Sequence, residues 1–199
     1  LEEAHGHEDA ARAVIQRAVK LLAAQQVHIK REQWLQEAYN AERSGAPATC
    51  QAIVAETADA GLDDADKRAQ WKEDAEAALA AGCVHTARAL YAHALTAFPS
   101  RKGLWLRAAH LEKKHGTRAS LDALLHKAVG YVPQAEILWL MAAKERWLGG
   151  DVDGARQILK EAFEANSNSE AIWLAAVKLE SENNELKRAR ALLERARQR

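Results

Sequence analysis

Five tryptophans recur along this chain at a nearly constant interval. Trp34, Trp71, Trp105, Trp139 and Trp173 are separated by 37, 34, 34 and 34 residues. A period near 34 is typical of arrays in which each unit is one pair of helices, because a single pair cannot bury its apolar face alone. The interval therefore predicts an all-α, right-handed α-solenoid of stacked antiparallel helix pairs. We call the first helix of each pair A and the second B.

Two further positions keep the phase of the tryptophans. Eleven residues after each tryptophan lies a glycine or an asparagine: Gly45, Gly82, Gly116, Gly150 and Asn184. A helix often ends at a residue with positive φ, a conformation that glycine, and then asparagine, adopt most easily. We therefore expect helix A to end at these residues with positive φ. Seventeen residues after the tryptophan, three of the five units carry an arginine: Arg88, Arg156 and Arg190.

The phased pattern predicts a lone B helix followed by five A/B pairs. The lone helix spans about residues 9–24, and the pairs span about 30–43/48–59, 66–80/84–97, 102–115/118–130, 135–148/152–165 and 169–182/186–198. Thr117 is expected to cap one B helix. Ser167, which stands where other units have proline, is expected to cap the last A helix. Because the phase is unbroken from Trp34 to Arg190, residues 1–199 are predicted to form a single array.

The first legible unit lacks its A helix, and the chain begins at Leu1 without a methionine. We therefore expect the sequence to be a fragment of a longer protein. Ends cut from a repeat array should expose apolar residues that a neighbouring repeat would cover. Some of the following residues should be exposed and allow self-association: Val14, Ile15, Leu21 and Leu22 at the start, and Leu186, Leu192 and Leu193 at the end.

Charge and hydropathy argue against two classes of partner. Lys and Arg number 28 and Asp and Glu also number 28, so the formal net charge is zero. That balance does not favour a protein whose affinity comes mainly from neutralising phosphates. No stretch of about 18 apolar residues is present, which predicts that the chain does not cross a membrane.

No catalytic or metal-binding pattern stands out. His5 and His7 could hold a metal ion, but they lie near a chain terminus. Asp151 and Asp153 resemble the start of a calcium loop without its later ligands, and acidic residues there suit a helix N-terminus. Cys50 and Cys83 have no metal-ligand spacing and are expected to be small buried thiols. We therefore predict a protein that is not an enzyme and has no cofactor or metal.

Two features left alternatives open. Trp147, the sixth tryptophan, is out of phase, and it is either additional core or an exposed partner contact. The last predicted helix is strongly basic, with Lys187, Arg188, Arg195 and Arg197 among its residues. These residues are either a direct RNA contact or cations near a helix C-terminus, where the helix dipole favours them. No aromatic residues interleave with them to stack bases, which favours the second interpretation.

The phased motif resembles the half-a-tetratricopeptide repeat. That family has a tryptophan early in helix A, an acidic residue one to two turns later, and Ala-Arg-x-apolar-apolar-x-x-Ala in helix B. The clearest copy is the last unit, with IWLAAVKLE at 172–180 and RARALLERA at 188–196. The stretches at 98–109, 115–125 and 172–183 further resemble a family of scaffold proteins of the spliceosomal tri-snRNP.

This resemblance implies both a function and a set of ion pairs. The function is a nuclear protein–protein interaction scaffold in mRNA splicing, with tri-snRNP proteins as partners and RNA bound at most indirectly. A scaffold of another RNA-processing complex, such as cleavage and polyadenylation, and direct RNA binding through the basic end are the alternatives.

The ion pairs that the family implies join the acidic residue of helix A to the arginine of helix B in one unit, as Glu180 and Arg190 would. Two other units place like charges in these positions, Glu112 with Asp122 and Arg146 with Arg156. We expect Lys113 or Lys114 to relieve the first combination and Glu145 the second.

Overall fold

The computed structural model describes residues 8–27 and 29–197, and within them the chain forms eleven helices and no strand. The helices are α1 (Glu8–Ala24), α2 (Arg31–Arg43), α3 (Pro47–Thr57), α4 (Lys67–Ala80), α5 (Val84–Ala97), α6 (Lys102–His115), α7 (Arg118–Tyr131), α8 (Glu136–Leu148), α9 (Val152–Ala165), α10 (Glu170–Glu182) and α11 (Leu186–Arg197). The all-α prediction is confirmed. Each observed bound lies within two residues of the predicted one.

The contacts between helices divide the chain into two compact units, Leu1–Pro99 and Ser100–Arg199. In the first unit α2 packs against α3 and α4 against α5. The B helices of this unit also contact each other, α1 with α3 and α3 with α5. In the second unit α6 packs against α7, α8 against α9 and α10 against α11, and α8 also contacts α7 and α10. Each unit is therefore built from consecutive helix pairs. The single array across residues 1–199 stays a prediction.

Small residues occupy the positions where the helices meet. Ala75 and Ala109 on A helices and Ala87 and Ala155 on B helices are fully buried. The distance between two helix axes depends on the side chains at their contact, so alanine allows close packing. Larger apolar residues such as Leu90 and Leu125 fill the remaining space and are also fully buried.

The phased glycines end their helices for two different reasons. Positive φ occurs at Gly45, Gly82 and Gly150, at +80°, +78° and +85°, and at Asn184, at +61°, as predicted. The prediction is wrong for Gly116, whose φ is −95° and ψ −163°. A Cβ at Gly116 would instead overlap the carboxylate of Glu112. Glycine is required at this position by space and not by backbone conformation.

Hydroxyl and carboxylate caps begin several helices. The Thr117 Oγ1 accepts a hydrogen bond from the Ser120 N–H at 3.1 Å, so the predicted cap of α7 is confirmed. The predicted cap at Ser167 is wrong. Helix α10 begins at Glu170, and it is Ser169 Oγ that accepts from the Ile172 N–H at 3.2 Å. The N-cap position of that helix, Ser169, lies two residues after the predicted one.

Candidate binding surface

The phased tryptophans belong to the cores of the two units, although not equally. Trp71, Trp105 and Trp139 are buried. The indole N–H of Trp71 donates to the Ala58 carbonyl oxygen at 2.9 Å, and that of Trp139 donates to the Pro133 carbonyl oxygen at 2.8 Å. These two hydrogen bonds tie a helix A to the chain that precedes it.

The repeat phase predicts that all five tryptophans are buried between successive helices, but Trp34 and Trp173 are only half-buried, so this prediction is wrong for the first and last of them. Trp173 packs on Phe163, with ring centroids 4.4 Å apart, but among the described helices no A helix follows α10 to cover its other side. Trp34 lies on α2, which is preceded among the described helices by a B helix only.

Two charged pairs at positions of the repeat motif join consecutive repeats. Arg156 on α9 donates two hydrogen bonds of 2.8 Å to the carboxylate of Glu180 on α10. Arg146 on α8 donates two hydrogen bonds of 2.6 Å to the carboxylate of Asp122 on α7. In this pair the arginine is on the A helix and the acidic residue on the B helix, the reverse of the first pair. Both pairs are bidentate, the strongest arrangement for arginine and carboxylate.

These contacts correct the predicted pairing scheme. Glu180 is the partner of Arg156, and Arg190 is exposed with no ion pair among residues 8–27 and 29–197. Lys113 does not relieve Asp122 but binds Glu145 on α8, at 2.7 Å. Asp122 and Arg156 are therefore not opposed by like charges, because each pairs with an oppositely charged residue on the next helix along the chain.

A carboxylate from α2 caps α5, which the sequence pattern did not reveal. Glu42 accepts hydrogen bonds of 2.8 Å from the backbone N–H groups of His85 and Thr86 and from the Thr86 hydroxyl. The N-cap residue of α5, Cys83, supplies no side-chain cap. Burial opposes the charge of Glu42, but the three hydrogen bonds outweigh it and lower the pKa of the carboxyl group. Glu42 and His85 are 43 residues apart in the sequence, so no local sequence pattern reveals this cap.

We expect the Glu42→Gln variant to lose about 1–2 kcal/mol of unfolding free energy at pH 7, because a charged acceptor at a helix N-terminus is replaced by a neutral one. A folded-state pKa below the unfolded value means that the contribution is present above the unfolded Glu pKa of about 4.3 and is lost as pH falls below it. The loss caused by the substitution should therefore shrink between pH 7 and pH 3. Urea unfolding at both pH values measures it.

The matched control is Glu37→Gln on the exposed side of α2, where Glu37 makes no hydrogen bond within the described part of the chain. That variant should change stability by less than about 0.5 kcal/mol at either pH. Equal effects of the two substitutions would show that Glu42 does not cap α5.

An apolar groove lies between the A helices α8 and α10, beside α9. Its volume, including space that is open to solvent, is about 580 Å³. Its lining residues are Leu140, Ala143, Lys144, Trp147, Ala155, Leu159, Ala175, Lys178 and Leu179. We call this the Trp147 groove. Trp147 is half-buried in its wall, so it is neither closed core nor a fully exposed contact.

A second depression in the same unit has a different chemistry. It lies between α7, α8 and α9 and is lined by Asp122, His126, Arg146 and Glu161 together with several apolar residues. Its central charges are already joined in the bidentate Asp122–Arg146 pair. Because these charges are already paired with each other, they are less available to bind a partner protein than the residues of the Trp147 groove are.

The basic side chains of α11 are exposed. Lys187, Arg188, Arg195 and Arg197 make no ion pair within residues 8–27 and 29–197, and the pattern of α11 includes no aromatic residue. The exposed apolar residues at the two ends include Val14, Leu21, Leu186 and Leu193, as predicted, whereas Ile15, Leu22 and Leu192 are half-buried.

The candidate metal sites find no support. His5 and His7 lie outside the described residues. Asp151 accepts a hydrogen bond from the Gly154 N–H at 2.8 Å and so caps α9. In the described part of the chain no group of three or more His, Cys, Asp or Glu side chains is placed to hold a metal ion. Cys50 and Cys83 are buried and are not joined in a disulfide, as predicted. None of the described helices has the length and apolar character needed to cross a membrane.

Known proteins share similarity with parts of this chain. The tetratricopeptide repeat family matches residues 147–199. Human pre-mRNA-processing factor 6 is 54% identical over 108 residues, which is 54% of this chain and 12% of that protein. Pre-mRNA-splicing factor prp1 of Schizosaccharomyces pombe is 48% identical over 127 residues, covering 64% of this chain and 14% of that protein. The chain thus matches about one eighth of the length of these curated relatives.

Solved structures with little sequence similarity share the fold. A tetratricopeptide repeat protein from Parabacteroides merdae is 14% identical with a TM-score of 0.50, over 83% of this chain and 66% of that one. The crystal structure of MamA is 7% identical with a TM-score of 0.51, over 81% of this chain and 92% of that one. These similarities support the helical-repeat fold and say nothing about partners.

Proposed function

We propose that this chain, a region of half-a-tetratricopeptide and tetratricopeptide-type repeats that resembles pre-mRNA-processing factor 6, is a protein-binding scaffold in pre-mRNA splicing. The observation that carries the proposal is sequence identity. Over 108 and 127 residues, the chain is 54% and 48% identical to proteins named pre-mRNA-processing factor 6 and pre-mRNA-splicing factor prp1. The finer proposal is that it acts in the nucleus by bridging proteins of the spliceosomal tri-snRNP, without enzymatic activity.

The repeat architecture supports binding by shape. Trp71, Trp105 and Trp139 are buried against neighbouring helices, and the ion pairs Arg156–Glu180 and Asp122–Arg146 join consecutive repeats. In the second unit the A helices α8 and α10 lie beside one another with part of their surface open. Partner segments can then lie along the A helices while the repeats themselves change little in shape.

Two other functions compete with this proposal. A scaffold of another RNA-processing complex, such as cleavage and polyadenylation, would use the same repeat geometry. Direct RNA binding would use the exposed side chains of Lys187, Arg188, Arg195 and Arg197, because exposed cations can neutralise phosphates. The sequence of α11 contains no aromatic residue that could stack bases between these cations, which makes RNA binding the weaker candidate.

Affinity capture from nuclear extract tests the proposal. The chain is immobilised, and the captured proteins are identified with and without RNase treatment. We expect proteins of the tri-snRNP to be recovered in both conditions, because the proposed contacts are between proteins. A reverse-charge variant of the basic end, Arg195→Glu with Arg197→Glu, should capture the same proteins.

The control variant removes association through the exposed ends by changing Val14 and Leu193 to glutamate. Both residues are exposed, at 58% and 40%, so the substitutions should leave the fold intact. Capture that disappears with RNase would contradict the scaffold proposal and favour RNA binding. Enrichment of cleavage and polyadenylation proteins would instead place the chain in the other complex.

A further inference from the structure

We infer that the Trp147 groove is a docking site for an acidic segment of a partner protein, one that inserts apolar side chains between α8 and α10. The inference rests on the proposed function, because it names the chemistry of one partner of the scaffold. It depends on three properties of the groove: a floor of small side chains, an exposed apolar margin, and a positive charge that no acidic lining residue offsets.

The floor of the groove allows a close approach. Ala143 and Ala155 are almost fully buried, and Leu159 and Leu179 beside them are 4% exposed. The short alanine side chains leave depth between the two A helices, and Trp147 forms a large flat wall at one side. Aromatic walls over desolvated apolar floors are typical of the positions that dominate binding energy in protein interfaces.

The apolar surface continues beyond the groove along both A helices. Ile137 on α8 is 49% exposed, and Leu174 on α10 is 56% exposed. Ile137 lies one turn before Leu140, and Leu174 lies one turn before Lys178, so each shares a helix face with a lining residue. Large apolar residues exposed side by side with an apolar groove mark an interaction site more often than scattered single residues do.

The charge of the groove selects the partner. Lys144 and Lys178 are the charged residues among the nine that line it, and no acidic residue is among them. Lys144 is exposed and has no ion pair in the described part of the chain. Lys178 is 67% exposed and lies 3.7 Å from Glu182, a loose pair at the surface. The ammonium groups on α8 and α10 therefore remain open to carboxylates from outside, which favours an acidic partner.

The same features favour protein over RNA. The floor consists of methyl and methylene groups, which cannot donate or accept hydrogen bonds at base edges, and a single tryptophan cannot stack successive bases. An amphipathic helix with apolar residues at every third or fourth position fits an apolar groove between two helices. Its carboxylates, placed beside those apolar residues, would meet Lys144 and Lys178.

Selection from a phage-displayed library of random peptides, each about 16 residues or roughly four helical turns long, tests this inference. Peptides are selected on the unmodified chain, and the dissociation constants of synthetic copies are then measured by fluorescence anisotropy. We expect enriched peptides that combine large apolar residues with Asp and Glu. Binding should weaken by about 30-fold in Trp147→Ala, the loss typical of a tryptophan hot spot.

Charge reversal provides a second variant that should not disturb the fold. Lys144→Glu with Lys178→Glu should weaken binding of the selected peptides by at least about tenfold, because attraction becomes repulsion at both sides of the groove. The matched control is Lys127→Glu with Lys160→Glu, which makes the same change of charge on the B helices α7 and α9, outside the groove. That control should bind like the unmodified chain.

Four results would overturn the inference. Selected peptides that are basic, or whose binding is unaffected by Trp147→Ala and by the Lys144 and Lys178 reversal, would show that the groove is not their site. If oligouridylate displaced the selected peptides from the unmodified chain, and Trp147→Ala abolished oligouridylate binding, the groove would be an RNA site. Self-association abolished by the same substitution would assign it to a second copy of the chain. Capture of splicing proteins that is insensitive to these variants would leave the scaffold function intact while refuting this site.

Discussion

The Trp105→Ala variant is expected to lose about 3–5 kcal/mol of unfolding free energy, the largest effect that we predict for a single substitution. Trp105 is 4% exposed and stacks on Tyr131, with ring centroids 5.7 Å apart and planes 19° from parallel. Replacing the indole by a methyl group removes this contact and leaves a cavity in the first helix pair of the second unit. Urea unfolding followed by circular dichroism measures the loss.

Trp147→Ala is the matched control, because it removes the same side chain from a half-buried position in the wall of a groove. Its loss of unfolding free energy should be clearly smaller than that of Trp105→Ala, because Trp147 has less apolar surface buried away from water. Similar losses for the two variants would mean that the 34-residue phase of the tryptophans does not identify the core.

The Arg156→Glu variant is expected to lose about 2–3 kcal/mol, the second largest effect. It places a carboxylate opposite Glu180, whose side chain is only 8% exposed, and removes a bidentate pair between α9 and α10. Breaking a buried pair by changing one partner is costly because the other charge remains without compensation. The 27% exposure of Arg156 lets water reduce that cost, so the expected loss is below the value for a fully buried pair.

A charge exchange tests whether the pair acts between repeats. The Arg156→Glu variant is combined with Glu180→Arg, which reproduces the polarity of the neighbouring Asp122–Arg146 pair. We expect the double variant to recover at least half of the lost unfolding free energy. As a control, Arg190→Glu alone should change stability by less than about 0.5 kcal/mol, because Arg190 is exposed. A large loss of unfolding free energy in Arg190→Glu would instead support the pairing of Arg190 with Glu180 within one repeat.

The sequence by itself determined the helices and their order. The 34-residue period, the positive-φ positions at Gly45, Gly82, Gly150 and Asn184, and the cap at Thr117 are local signals, so they are legible before any packing is considered. A resemblance in the motif residues also identified the splicing-factor relatives. The physical reason is that a helix is specified by spacing and by its ends, which involve residues only a few positions apart.

The tertiary structure decided which repeats share their charges, why Gly116 is a glycine, and what surface the A helices leave open. Arg156 and Glu180 are 24 residues apart, and Glu42 and His85 are 43 apart. At such separations the motif names the residue types but not the partners, because a helix surface offers several neighbours of suitable charge. The Trp147 groove likewise exists only where α8, α9 and α10 meet. Its residues come from three separate helices, so no pattern along the chain marks them as one site.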